Sequence, residues 1–349
     1  MPRTPARVRT RHRSVLRPAA ITALCVLAVG LSACGGGGGG GGGKAEKTPV
    51  SGGSTVMIGA ASNGAASPAS LEVAEVARIR AELPARVRDS GQLTIGVGYL
   101  PAGAAPIAFL GSDQKTLTGA EPDLGRLVAA VLGLRPVLQG VTFQNLFVGI
   151  DSGRTDVAFS NVTDTEERKQ KYDFASYRED NLAIEVRKND PLVFRGDYHA
   201  LAGRTVAVRA GTNLQRIALD WQTRLKAEGK TLTVKYFQDP NSTYLALSAG
   251  RVDAYLESNP AIAYHVAKTA GTPQATRVAG VFSGAGPQLQ GLICATTKKD
   301  DGLVKPLADA INRLVQDGTY ARWLAAWHLE KEAVPASRIN PPGLPPSAS

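Results

Sequence analysis

Beyond residue 34 the chain has one cysteine, Cys294, so the folded part closes no internal disulfide. Set in the apolar run Gly291-Leu292-Ile293-Cys294-Ala295, that cysteine reads as a small buried hydrophobe. Histidine is scarce and scattered: His199, His265 and His328 form no His-x-x-x-His pair, and neither Cys-x-x-Cys nor Gly-x-Ser-x-Gly occurs. These absences remove the familiar metal sites and the serine-hydrolase elbow, and no metal or cofactor is expected. The apolar run at residues 19–30 spans about twelve residues, short of the roughly twenty a membrane-spanning helix requires. A basic stripe is also lacking. Six arginines (Arg3, Arg7, Arg9, Arg11, Arg13 and Arg17) precede the first acidic residue, and taking them from the net charge of +10 leaves +4, spread without clustering. Nucleic-acid binding is therefore excluded from the reading.

Those arginines followed by a short apolar run have the form of a signal peptide over residues 1–33. It ends in Leu31-Ser32-Ala33-Cys34, which resembles a bacterial lipobox and makes Cys34 a candidate lipidated N-terminus anchoring the chain to the outer face of the cell membrane. The alternative is an ordinary signal peptide that leaves Cys34 a free thiol. Nine consecutive glycines follow, then Ser, Gly, Ala and Pro, so residues 34–70 read as a flexible tether reaching on the order of 30–35 Å.

Folded sequence is expected from residue 71, with a helix through Leu71, Val73, Val76 and Ile79 and a half-buried strand through Leu93, Ile95, Val97 and Tyr99. Apolar stripes at Leu124–Leu132, Leu214–Leu225 and Leu303–Val315 predict helices, and short runs at residues 182–186, 205–208, 232–236 and 292–295 predict strands. The class is α/β. Residues 333–349, rich in Pro and Ser, read as a disordered tail, while Trp323 and Trp327 read as packing residues. Gly153-Arg154-Thr155-Asp156 and Gly250-Arg251-Val252-Asp253 are echoes, each followed by three apolar residues and a polar pair. Two such strand ends, facing each other, would line one cleft with polar groups.

Thr163 and Glu166 fit a capping box, so a helix N-terminus suited to an anion is expected there, with Arg168 about one turn in. Arg168 reads equally as a solvated partner of Glu167 or Asp164. Gly211-Thr212-Asn213 repeats the strand-to-helix device in the second half, either as an anion site or as a plain cap. Phe143 belongs to the core or to the edge of the cleft.

Together these stretches resemble the family 3 extracellular solute-binding proteins of polar amino acid ABC importers. The matching segments run in order from Leu83-Pro84-Ala85-Arg86-Val87 through Gly91-Gln92-Leu93-Thr94, Leu117-Thr118-Gly119, Ser152-Gly153-Arg154-Thr155-Asp156, Thr165-Glu166-Glu167-Arg168, Leu201-Ala202-Gly203-Arg204, Ala210-Gly211-Thr212 and Gly250-Arg251-Val252-Asp253 to Gly318-Thr319-Tyr320 and Trp327, covering about residues 84 to 330. The resemblance implies a two-lobed, type II periplasmic-binding fold joined by two crossing strands, with lobe 1 at residues 71–180 and 286–332 and lobe 2 at 181–285. It implies a monomer that captures an amino acid or derivative by hinge closure and hands it to a membrane permease, with no catalysis. Arg168 matches the arginine that clamps the ligand carboxylate, Asn161 and Thr163 its polar neighbours, Phe143 an aromatic platform, and Thr212 and Asn213 the second-lobe helix start. One departure stands out. The family places Asp, for the ligand's α-ammonium, where this chain has Ser258; the acid is one residue earlier, at Glu257, which strand alternation would point away. Residues 99–105 also lack the acid found in binders of basic amino acids, so Lys, Arg and His are disfavoured as ligands and modified, ectoine-like amino acids stay in scope. Other uses of the scaffold are a prephenate-type dehydratase, for which Glu257 would be the acid or base, and a ligand-sensing surface module.

Overall fold

The computed structural model describes residues 52–286 and 288–346. The signal peptide, Cys34 and the glycine run lie outside the described residues.

Two five-stranded sheets share one plan. The first runs in the order Arg135–Gly140, Gln92–Val97, Val157–Ala158, Leu292–Lys298, Tyr172–Glu179, with three parallel strands joined to two by antiparallel pairings. The second repeats it with Thr233–Phe237, Thr205–Arg209, Ala254–Ser258, Asn181–Arg187, Thr276–Ser283. Parallel strands covered on both faces are continuously apolar, and Leu93, Ile95 and Val97 in one sheet and Val206, Ala207 and Val208 in the other are buried. The three striped helices form at Ala120–Val131, Asn213–Ala227 and Val304–Gln316. The α/β, two-lobed class read from the sequence is the one observed.

The echo has a structural cause. Asp156 follows the left-handed Gly153 and accepts a hydrogen bond from Thr94 N at 2.9 Å, while its own N–H donates to Thr94 O. Asp253, after the left-handed Gly250, does the same with Thr205, at 2.8 Å from its N–H. In each sheet the aspartate staples the entry of a central strand to its parallel neighbour. The chain then emerges at the carboxyl ends as Ser160-Asn161 and Glu257-Ser258.

Three expectations are corrected. The tether does not extend to residue 70, because Gly53–Ile58 and Ala69–Ala74 pair as an antiparallel hairpin, tied down by Gly59 N–H donating to Asp123 Oδ2 at 2.7 Å. Leu71 and Val73 therefore belong to a strand: they are buried while Ser70 before them and Glu72 between them are exposed, a period of two. Helix begins only at Ala77–Ala81. The tail is ordered as well. Residues 338–340 run along Tyr172–Glu179, the edge strand of the first sheet, where Ser176 N–H donates to Arg338 O (3.0 Å) and Asn340 N–H to Phe174 O (2.9 Å), and the chain continues to the loop before that strand, where Leu344 N–H donates to Asp164 O (3.0 Å). Pro- and Ser-rich sequence buries little of its own surface, but an open strand edge supplies partners for its backbone. Deleting residues 335–349 should remove these bonds at about 0.5–1.5 kcal/mol each, and a urea midpoint equal to that of the intact chain would contradict this role.

Candidate functional site

The two sheets are joined at Asp180, between Tyr172–Glu179 and Asn181–Arg187, and again through residues 284–291. Asp180 ties the crossings together: its N–H donates to Gly291 O and its carbonyl accepts from Gly284 N–H, both at 2.8 Å. Beside this junction lies one cavity lined by Phe143, Asn161 and Thr163 from one side and by Thr212, Asn213, Glu257 and Ser258 from the other. It is closed to about 10 Å³, the room of about one water molecule. Seven of the eight ligand-binding candidates meet here. Arg168 lines an adjoining cleft that shares Thr212 and Asn213 with the cavity.

Phe143 opens the helix Phe143–Asp151, whose cap is Thr142 Oγ1 accepting from Asn145 N–H at 3.3 Å. Asn161 holds a left-handed φ of 51°, its N–H donating to Glu121 Oε2 at 2.8 Å and its Oδ1 accepting from Arg178. The capping box at Thr163 does not form. Thr163 instead bridges to Ile293 and donates its hydroxyl to Asp180 Oδ2 at 2.7 Å. Two residues on, Thr165 Oγ1 accepts from Arg168 N–H (3.0 Å), starting a single 3₁₀ turn, Arg168–Gln170. Arg168 Nη1 donates to Thr163 O at 2.9 Å, and its guanidinium lies 5.1 Å from the Phe147 ring centre and 5.7 Å from that of Phe143. Burial, then the nearby Arg216, push it down to about 10. Among the described residues it pairs with neither Asp164 nor Glu167. Thr212 is a helix cap as read: Oγ1 accepts from Gln215 N–H (3.4 Å) and donates to Arg209 O (2.7 Å), behind the left-handed Gly211.

Glu257 does not point away. It is 1% exposed, its Oε1 accepting from Ser258 N–H at 2.8 Å and its Oε2 from the Tyr255 hydroxyl at 3.0 Å. Glu257 pairs with Ala183 and Ser258 with Leu182, the last pairs before the helix Asn259–Thr269 begins, and the cavity at this carboxyl end of the strand takes in both residues. Oε2 also lies 3.2 Å from Arg209 Nε, an ion pair without hydrogen-bond alignment. Arg209 was missed by the sequence reading, which ended its strand at Val208. From the second sheet it reaches Tyr99 beyond the first, donating from Nη2 to the hydroxyl at 3.1 Å, with its guanidinium 4.2 Å from that ring centre. Asp180, also missed, is 1% exposed and pushed up to about 6 by burial, which the Thr163 hydroxyl opposes. The signal for both was a charged residue ending a strand run. Besides Arg209 Nε, two buried polar atoms of the cavity lining, Asn213 Nδ2 and Ser258 Oγ, have no hydrogen-bond partner among the described residues. Buried polar groups are normally paired, so the cavity presents a donor and a hydroxyl ready for a polar guest. Among the described residues no cluster of three or more His, Cys, Asp and Glu forms a metal site.

Asp164, under the tail, is fully buried, and neither carboxylate oxygen accepts a hydrogen bond among the described residues. Burial pushes it up to about 7, Lys169 opposing. A folded-state value above the unfolded one makes the native state bind the proton more tightly, so this group's contribution to stability falls as pH rises from about 4 towards 7. Asp164→Asn is therefore expected to stabilise the protein at pH 8 by about 1–3 kcal/mol and to change little at pH 4. Parallel denaturation curves at the two pH values check this, and equal effects at both would contradict it.

Residues 95–330 match the family model described as bacterial extracellular solute-binding proteins, family 3. The chain is 31% identical over 245 residues to the L-cystine-binding protein TcyJ of Escherichia coli K12, covering 69% of this chain and 84% of that protein. It is 26% identical over 272 residues to the arginine-binding protein ArgT of Corynebacterium glutamicum, covering 76% and 83%. Among solved structures, an ancestral arginine-binding protein bound to arginine superposes with a TM-score of 0.58 at 25% identity, covering 68% of this chain and 98% of that one.

Proposed function

Because the chain belongs to the bacterial extracellular solute-binding proteins, family 3, we propose that it captures an amino acid, or a closely related small carboxylate-bearing solute, between two lobes and delivers it to the permease of an ABC importer. In this reading one lobe carries the first sheet with the hairpin at residues 53–74 and the tail along its edge, the other is residues 181–285, the protein acts as a monomer, and lipidated Cys34 holds it at the outer face of the cell membrane. The observation that carries the reading is the pair of unpartnered buried groups, Asn213 Nδ2 and Ser258 Oγ, in a cavity lined from both sheets. Arg168 in the adjoining cleft, with Asn213, forms the carboxylate end, and Phe143 the apolar wall. Closure is a shift of population towards a state held by contacts such as Arg209 to Tyr99 together with those to the bound solute. Glu257 has both oxygens engaged, which favours binding over acid-base catalysis. Relatives named for cystine and arginine set the first compounds to try. A thermal-shift screen against the twenty L-amino acids, L-cystine, ectoine and small organic acids tests the proposal: a saturable rise in melting temperature is expected with amino acids, and no response to any carboxylate would refute it.

A further inference from the structure

We propose that Asp180 receives the ammonium group of a zwitterionic α-amino acid in this cleft, and that the protein thereby selects amino acids of zero net charge. The proposal rests on the amino-acid reading above. A buried zwitterion needs a counter-charge or hydrogen-bond partners at each end, because an unpaired buried charge is costly. Two acids line the cavity. Glu257 is occupied within its own lobe by the Tyr255 hydroxyl, Ser258 N–H and the Arg209 charge. Asp180 is as deeply buried, yet among the described residues it forms no ion pair, and its side chain accepts one hydrogen bond, from Thr163 to Oδ2.

Its placement is built rather than incidental. The backbone of Asp180 is pinned on both sides by Gly291 and Gly284, so the hinge itself aims the carboxylate. Position 284 is a glycine where a Cβ would overlap Asp180 Oδ2, and Gly291 leaves room at the Asp180 Cβ. Ser258, whose buried hydroxyl has no partner among the described residues, lines the same cavity. With Arg209 cancelling Glu257, the cavity keeps one uncompensated anion, Asp180, and the adjoining cleft, lined by Arg168, Lys171 and Arg216 against Glu167 and Asp220, adds one net positive charge. That balance suits one ammonium and one carboxylate. A second positive charge on the solute would find no further acid in the cavity, and the two acids of the adjoining cleft are outnumbered there by three cations.

The test compares, by titration calorimetry, the L-amino acid from the thermal-shift panel that binds most tightly with its deaminated analogue, which carries hydrogen in place of the ammonium. Wild type is expected to prefer the amino acid strongly. In Asp180→Asn, which keeps an acceptor for Thr163 and the backbone bonds of the hinge, this preference should shrink by about 10–100-fold, the loss of one charge-assisted hydrogen bond. A purely structural role for Asp180 would weaken both compounds equally and keep their ratio, which overturns the proposal. Tightest binding of L-arginine or L-lysine overturns the charge selection. Failure of wild type to bind any amino acid instead refutes the underlying reading, and the proposal with it.

Discussion

Replacing Arg178 with alanine is expected to destabilise the protein by about 3–5 kcal/mol, the range for removing one partner of a buried ion pair. Arg178 is 1% exposed and joins Glu121, at 2.9 Å, to Glu332, which the chain brings in from beyond the last helix. Burial alone would lower its proton affinity, but Glu332 and Glu121 outweigh that and hold the guanidinium firmly charged. Without it, two carboxylates remain in the interior with no cation. Glu121 also accepts from the Tyr177 hydroxyl and from Asn161 N–H, and Asn161 is held by Arg178 itself. The same change should therefore loosen the strained turn that lines the cavity. Urea denaturation reads the stability loss directly, and a loss below about 1 kcal/mol would show that the network is not held by this charge.

The second large effect is on binding. Arg168→Ala is expected to weaken amino acid affinity by about 10–100-fold, matching about 1.5–3 kcal/mol for a charged hydrogen bond. The guanidinium is preorganised on the Phe147 and Phe143 rings and anchored by one bond to Thr163 O, leaving the other donors for an anion. Arg168→Lys keeps the charge but loses the planar fork, so it should recover only part of the loss. Calorimetric titration of both variants decides, and wild-type affinity in Arg168→Ala would remove this residue from the site.

Most of the fold was legible because its strongest signals are local. The stripes at Leu124, Leu214 and Leu307 and the buried runs at Val206 and Ile293 depend on periodicity within single elements. The repeated Gly-Arg-x-Asp was legible as an echo but not as a mechanism, since the Asp156-to-Thr94 and Asp253-to-Thr205 staples each span tens of residues. The errors are of the same origin. Leu71 and Val73 were merged with Val76 and Ile79 because four apolar positions fit a helix when the pairing with residues 53–58 is unknown. The tail looked unable to fold because its partner, the edge of Tyr172–Glu179, lies far away in sequence. In the site, Phe143, Asn161, Thr163, Thr212, Asn213, Glu257 and Ser258 converge on one cavity. Asp180 and Arg209 escaped because their importance comes from crossing between sheets, and Glu257 was misdirected because alternation assigns one face to each residue while the cavity at the carboxyl end of the strand takes in both Glu257 and Ser258.

The most direct measurement is a crystal structure of the protein with the amino acid that binds most tightly. That amino acid is expected between the two sheets against Phe143, its carboxylate within hydrogen-bond reach of Asn213 Nδ2 and its ammonium beside Asp180 and Ser258. An amino acid bound elsewhere, with this cavity still closed, would contradict it.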